Sequence, residues 1–208
     1  MKLKTFIYLF SLFILFSCKK SSGDFTIKGK ITDNTFNKGL NDATIELYKV
    51  QVATNNKIFV ASQTLGSDGS YSFTFPREQI EKYIIQVKKN LYFPIESMVY
   101  YSELELGKET IRDYSTDAKS WVELRFLNNN PNTNDHFRYI KQEGYSGCAT
   151  CCPTTEQNYY GALDTSLYCI NQGNTPYSIY YWVIGTSTQG IEKVTTTPFD
   201  TSLIFIQY

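Results

Sequence analysis

Apolar and polar residues alternate one by one along short segments of this chain, and that spacing constrains the fold more than any other feature. Phe25-Thr26-Ile27-Lys28-Gly29-Lys30-Ile31-Thr32-Asp33 is the clearest case, with Gly29 at one inward position. Only a β-strand sends successive side chains to opposite faces, so such a segment buries one face and wets the other. Further strands are expected at Ala43–Tyr48, Lys57–Thr64, Ser70–Phe75 and Tyr83–Val87. Ser67-Asp68-Gly69 predicts a tight hairpin between the second and third of these, because Asp-Gly tolerates the positive φ such turns need. Gln79–Lys82 has room for one helical turn. Later segments read the same way: Trp121–Leu127, a return strand at His136–Gln142, Tyr177–Ile184, Ile191–Thr195 and Ser202–Tyr208. Aromatics make up 16%, with 17 Tyr and 14 Phe, and these residues favour strands. Nowhere after the N-terminus does a long, capped helical period appear. The expected fold class is all-β, with two β-sandwich domains in tandem at about 24–117 and 118–208. No Pro/Ser-rich linker separates them, so they should pack or share strands around Thr110–Ser120.

Gly29-Lys30-Ile31-Thr32-Asp33, Gly39-Leu40-Asn41-Asp42-Ala43-Thr44-Ile45-Glu46-Leu47 and Ser67-Asp68-Gly69-Ser70-Tyr71-Ser72-Phe73 together resemble the carboxypeptidase-regulatory-like domain. That family is a transthyretin-like, seven-stranded β-sandwich common on secreted bacterial proteins. The resemblance covers roughly residues 25–95. It departs at Asp42, where a Gly normally precedes the Ala. It implies a non-catalytic spacer or docking module, and fold alone does not imply function. Residues 118–208 loosely resemble the C-terminal halves of uncharacterised envelope lipoproteins.

The N-terminus carries an address. Lys2 and Lys4 precede the apolar run Phe6–Phe16, which is about half the ~20 residues a spanning helix needs. A short run behind a basic start reads as a signal peptide, here residues 1–17. Its exit is Leu15-Phe16-Ser17-Cys18 and not an A-x-A-like site. This resembles the lipobox of bacterial lipoproteins, and the Phe-rich signal with Cys18-Lys19-Lys20 resembles those of Bacteroidetes-like bacteria. The resemblance implies cleavage before Cys18, lipid on its thiol, a short tether at 18–23, and membrane attachment through that lipid. The outer membrane is the expected location. Lys19 is not the Asp that signals inner-membrane retention, and surface and periplasmic faces both stay open.

Charge sets limits on partners. Twenty basic residues balance 20 acidic ones, and cutting the signal removes Lys2 and Lys4. A near-neutral chain lacks the basic footprint of a nucleic-acid binder, so no nucleic-acid partner is expected. An envelope protein or a glycan is.

Setting Cys18 aside leaves Cys148, Cys151, Cys152 and Cys169, an even count that reads as disulfides in an exported chain. Adjacent cysteines rarely bond to each other, so Cys169 should reach one of Cys151 and Cys152, and Cys148 the other. The bridges would pin the loop from Gly144 to Gln157. A Cys₄ zinc site is the sharper alternative, but the second pair is not another C-x-x-C and export disfavours free thiolates. No metal and no cofactor are expected.

Catalysis has little to stand on. His136 is the only histidine, and Gly144-Tyr145-Ser146-Gly147 has the wrong spacing for a nucleophile elbow. Phosphate-loop, dinucleotide and H-E-x-x-H motifs are absent from the sequence. Glu103, Glu105, Asp113 and Asp117 offer carboxylates without marking a pair, which leaves a small hydrolase as the weakest reading. The Asn-rich stretch Asn128–Asp135 has oxygens for calcium but no acidic cluster, and reads as a plain hairpin. The aromatics Tyr159, Tyr160, Tyr180 and Trp182 are the candidate ligand-binding residues. Tyr180 and Trp182 share one strand face, and Tyr181 takes the other. Exposed, such rings would suit sugar stacking or a protein partner. The primary expectation is a non-catalytic structural or docking module, and the alternative is a glycan-binding lipoprotein.

Overall fold

The computed structural model describes residues 23–52, 54 and 56–208. The signal peptide 1–17, the lipidation of Cys18 and nearly all of the tether lie outside the described residues. What is described is two β-sandwiches in tandem. The first contains β1 (Asp24–Asp33), β2 (Lys38–Gly39), β3 (Thr44–Val50), β4 (Lys57–Thr64), β5 (Ser70–Pro76), β6 (Lys82–Lys88), β7 (Ile95–Tyr100), β8 (Glu109–Ile111) and β9 (Tyr114–Thr116). The second contains β10 (Lys119–Leu127), β11 (His136–Glu143), β12 (Gln157–Tyr160), β13 (Asp164–Gln172), β14 (Pro176–Val183), β15 (Gln189–Thr195) and β16 (Thr201–Gln207).

In the first sandwich β1 pairs antiparallel with β5 and then β2 along one side, and in parallel with β8 and then β9 along the other. The facing sheet runs β4-β3-β6-β7, antiparallel throughout. The alternation seen in the sequence is the packing: Ile27, Ile31, Tyr71, Phe73 and Phe75 meet Ile45, Leu47, Ile85 and Val87 between the sheets. Gly29 is where β8 gives way to β9. A Cβ there would lie 1.9 Å from the carbonyl oxygen of Arg112, so only glycine admits that backbone.

Two of these elements differ from what the sequence predicts. Ser67-Asp68-Gly69 is a tight turn but not a hairpin, because β4 and β5 belong to opposite sheets. Tyr71, Phe73 and Phe75 must face the β3–β4 sheet across the core, and a hairpin would have placed them beside it. The turn is held by Asp68, which accepts from the Ser70 N–H at 3.1 Å and the Ser70 hydroxyl at 2.6 Å. Gln79–Lys82 forms no helical turn, and the 3-10 turn falls at Tyr101–Glu103. Asp42, the departure from the family pattern, sits at φ +54°, the left-handed region where glycine is at ease and Asp is one of the few tolerated replacements.

In the second sandwich the sheet β13-β10-β16 faces the sheet β12-β11-β14-β15. Val122, Leu124, Phe126, Ile204 and Ile206 pack against Phe137, Tyr139, Tyr177 and Ile179. The Asn-rich stretch is not a hairpin either. It crosses from β10 to β11 in the other sheet, folded around Asp135, whose carboxylate accepts from Asn128 Nδ2 and the Asn132 N–H, both at 2.8 Å. Those two donors, the backbone one first, hold the Asp135 pKa down.

The two sandwiches pack on each other at the β9–β10 junction. Phe199 stacks on Phe36 and meets the tilted ring of Tyr92, with centroids 5.9 and 5.5 Å apart, and Phe93 meets Tyr145 at 4.4 Å. Gly173 donates its backbone N–H to the Ala118 carbonyl at 2.8 Å, and Lys119 donates its own to the Leu91 carbonyl at 2.7 Å. Gln172 Nε2 reaches Asp117 Oδ2 at 2.9 Å.

Candidate functional site

The outer face of the sheet β12-β11-β14-β15 gathers most of the aromatic candidates. Residue parity decides which. Along β14, Tyr177, Ile179 and Tyr181 turn inward, Tyr181 stacking on Phe137 at 6.2 Å, so Tyr180 and Trp182 turn outward. These two lie 5.2 Å apart with planes 28° from parallel. On β12, Tyr160 is 69% exposed and stacks on His136 of β11, centroids 4.2 Å apart. Tyr159 does not join them. It faces the core against Phe126, Phe137 and Tyr139.

Strand register adds residues that the sequence reading did not single out. Arg138 stands opposite Asn158 on one side and Trp182 on the other, and Gln189 of β15 stands opposite Trp182. The Arg138 guanidinium lies 5.9 Å from the Trp182 ring centroid and pairs with Glu156 at 3.3 Å. Asn158 Nδ2 donates to Glu156 Oε1 at 3.3 Å, which turns its Oδ1 toward His136 Nε2 at 2.7 Å. His136 therefore donates from Nε2. The Arg138 Nε contact with that same nitrogen, at 3.1 Å, is then not a second hydrogen bond, since one ring nitrogen cannot both donate and accept. The Tyr180 hydroxyl donates to Gln189 Oε1 at 3.0 Å. The result is an outward cluster of two stacked pairs, Tyr180 with Trp182 and Tyr160 with His136, with the Arg138 guanidinium over Trp182 and the amides of Asn158 and Gln189 beside them. It can stack an apolar ring face and hydrogen-bond its rim. The signal for Arg138 was present in the alternation of β11, but its neighbours depend on which strands flank it.

The cysteines pair as Cys148–Cys151 and Cys152–Cys169, with Cα–Cα separations of 5.2 Å in both. This pairing places no thiolate where zinc would need one. Beneath the loop lies Lys141, buried, with no acidic partner among the described residues. Its ammonium donates to the carbonyls of Tyr145, Cys151 and Cys152 at 2.7, 2.9 and 3.1 Å, and burial lowers its pKa. The loop's orphaned carbonyls thus converge on one side chain. Lys141→Met keeps the apolar stem and removes all three donors. It is expected to cost about 2–3 kcal/mol, since each unpaired buried acceptor costs about 1–3 kcal/mol before relaxation. Denaturant unfolding measures the loss, and limited proteolysis should cut first within the loop.

The carboxylates considered for catalysis stand apart. Glu103 pairs with Arg112, Glu105 with Lys108, Asp113 accepts from the Lys30 N–H, and Asp117 from Gln172. Among the described residues no group of three or more His, Cys, Asp or Glu side chains is placed to hold a metal.

No family model matches the chain, and no curated protein does. Solved structures with similarity include the Streptococcal ancillary pilin, at 10% identity over 90% of this chain and 63% of that one, with a TM-score of 0.39. The Bacillus anthracis TIE protein is 11% identical over 89% of this chain and 34% of that one, with a TM-score of 0.39. A DUF3823 family protein from Bacteroides uniformis is 8% identical over 86% of this chain and 100% of that one, with a TM-score of 0.34. The chain thus spans less than two thirds of the first two. At these identities and TM-scores the likeness carries no argument about function.

Proposed function

We propose that this chain is a cell-envelope lipoprotein, anchored through lipid on Cys18, whose second sandwich presents a non-catalytic docking face. The observation that supports this best is the outward strip of Tyr160, His136, Arg138, Trp182 and Tyr180 on one rigid sheet. Aromatic and Arg side chains dominate binding hot spots, and these are held in place by their neighbours before any partner arrives. The first sandwich, by its resemblance to carboxypeptidase-regulatory-like domains, acts as the spacer. Co-purification from envelopes tests this. Wild-type protein retains a defined partner, and Arg138→Ala with Trp182→Ala weakens retention at least tenfold. Recovery of the same partner by the double variant would refute the face.

A second reading is favoured by one geometric fact. Tyr180 and Trp182 form one stacked pair, with Arg138 over the Trp182 ring and Gln189 on the Tyr180 hydroxyl. A sugar face stacks on the outer ring of such a pair, and its hydroxyls bond to the polar groups around it. A glycan screen in which Trp182→Ala abolishes every hit supports it, and a screen without hits removes it.

A further inference from the structure

The last strand, β16, occupies the edge of the sheet β13-β10-β16 and is paired on one side only, in parallel, with β10. Its inward backbone groups belong to alternate residues. The carbonyl of Asp200 accepts from Trp121, and Tyr208 both donates to Leu127 and accepts from Asn129. By that alternation Ser202, Ile204 and Ile206 bond toward β10, and Thr201, Leu203, Phe205 and Gln207 aim their N–H and C=O groups away from the sheet. Natural edges are guarded by charge, proline, brevity or a cover. β15 carries Glu192 and Lys193, β4 carries Lys57 and a bulge between Phe59 and Ala61, β12 has 4 residues, and β5 shows Ser72, Thr74 and Pro76 outward. β13 is covered by Thr150 and the Cys152–Cys169 bridge. Thr201-Ser202-Leu203-Ile204-Phe205-Ile206-Gln207 has none of these guards, and Leu203 and Phe205 are 57% and 46% exposed on its outer face.

We infer that β16 is the interface with a second copy of this chain, the two strands pairing antiparallel about a twofold axis at Ile204. The register of the strand suits this occupant. Around that axis Leu203 stands opposite Phe205 of the partner, and Thr201 opposite Gln207 of the partner. These are the residues whose backbone groups aim outward, so each opposed pair exchanges both its N–H···O=C bonds. Ile204 meets its own copy at a position that makes no cross-strand bond, as its backbone is already used by β10. Leu203 and Phe205 then pack across the seam, and an uncharged strand brings no like charges together at the axis. Ile204 and Ile206 stay in the core, so pairing asks for no refolding.

Sedimentation velocity of the purified chain in density-matched detergent, over roughly 1–100 μM, tests this across ordinary interface affinities. A dimer is expected, with L203K and F205E each weakening association at least tenfold. Both changes lie on the exposed face, and circular dichroism confirms that the variants fold. The double variant L203K/F205E sets the new lysine opposite the new glutamate twice, so it should regain most of the lost association. A monomer at every concentration overturns the inference and leaves the edge to a strand of another protein. A dimer indifferent to either change, or a double variant no better than the singles, also overturns it.

Discussion

Raising the pH from about 10 to about 12 is expected to unfold this protein cooperatively, at a midpoint between about pH 11 and 12. The cause is buried phenols. Tyr83, Tyr139 and Tyr177 are at most 1% exposed. Burial raises the pKa of Tyr139 and Tyr177, and pushes that of Tyr83 up to about 12. In the unfolded chain each ionises near 10. Between the two values the unfolded chain has lost protons that the native state still holds, so stability falls as pH rises. Below about pH 10 the contribution is complete. Each buried phenol then removes about 1.4 kcal/mol per pH unit, and three remove about 4, against a total stability of about 5–15 kcal/mol for a domain. Circular dichroism and phenolate absorbance, followed together, should move in one step. Tyrosines ionising near pH 10 without loss of structure would contradict the burial. Tyr177→Phe is the sharpest control. Its buried hydroxyl has no hydrogen-bond partner among the described residues, so removing it should leave neutral-pH stability unchanged or raised by about 1 kcal/mol, and move the alkaline midpoint upward.

Replacing Cys152 and Cys169 by alanine is expected to cost about 3 kcal/mol, and replacing Cys148 and Cys151 about half of that. The bridges differ in the chain they close, with sequence separations of 17 and 3. In the chain-entropy treatment, constraint of the unfolded state grows with the logarithm of that length. The tertiary setting adds to the difference. Cys169 is fully buried in the second core, and Cys152 packs against that core, whereas Cys148 is exposed. The longer bridge ties the loop to β13, and Ile170 reinforces it by donating to the Thr150 carbonyl at 2.8 Å. Denaturant midpoints of the two double variants should fall in that order. Equal midpoints would mean that the loop is held by Lys141 and not by the bridge.

Much of the architecture is legible residue by residue. The alternation in Phe25–Asp33 names the same inward residues that line the first core, and parity along Tyr177–Val183 separates Tyr181 from Tyr180 and Trp182. β12 and β13 were less legible. In β13 the run Cys169-Ile170-Asn171 is buried without a break, because the strand's end is covered on its outer side as well. Both turns read as hairpins proved to be crossings between sheets. A turn sequence reports local φ and ψ, and Asp-Gly serves either connection. Which sheet receives the next strand depends on where its apolar face can be buried.

The sequence by itself determined the period-two pattern, and with it an all-β chain in which the alternating segments sort their residues into two faces. It also limited the cysteine pairing, because neighbouring cysteines seldom bond to each other. Only the tertiary structure decided strand order. Arg138 and Trp182 are 44 positions apart and become neighbours solely because β11 and β14 pair. Lys141 becomes the anchor of the cysteine loop because the loop folds over β11. The physical reason is the range of the forces. Alternation is imposed by the covalent geometry of one strand, whereas register and order come from burying whole faces against each other, and no local stretch of chain contains that information.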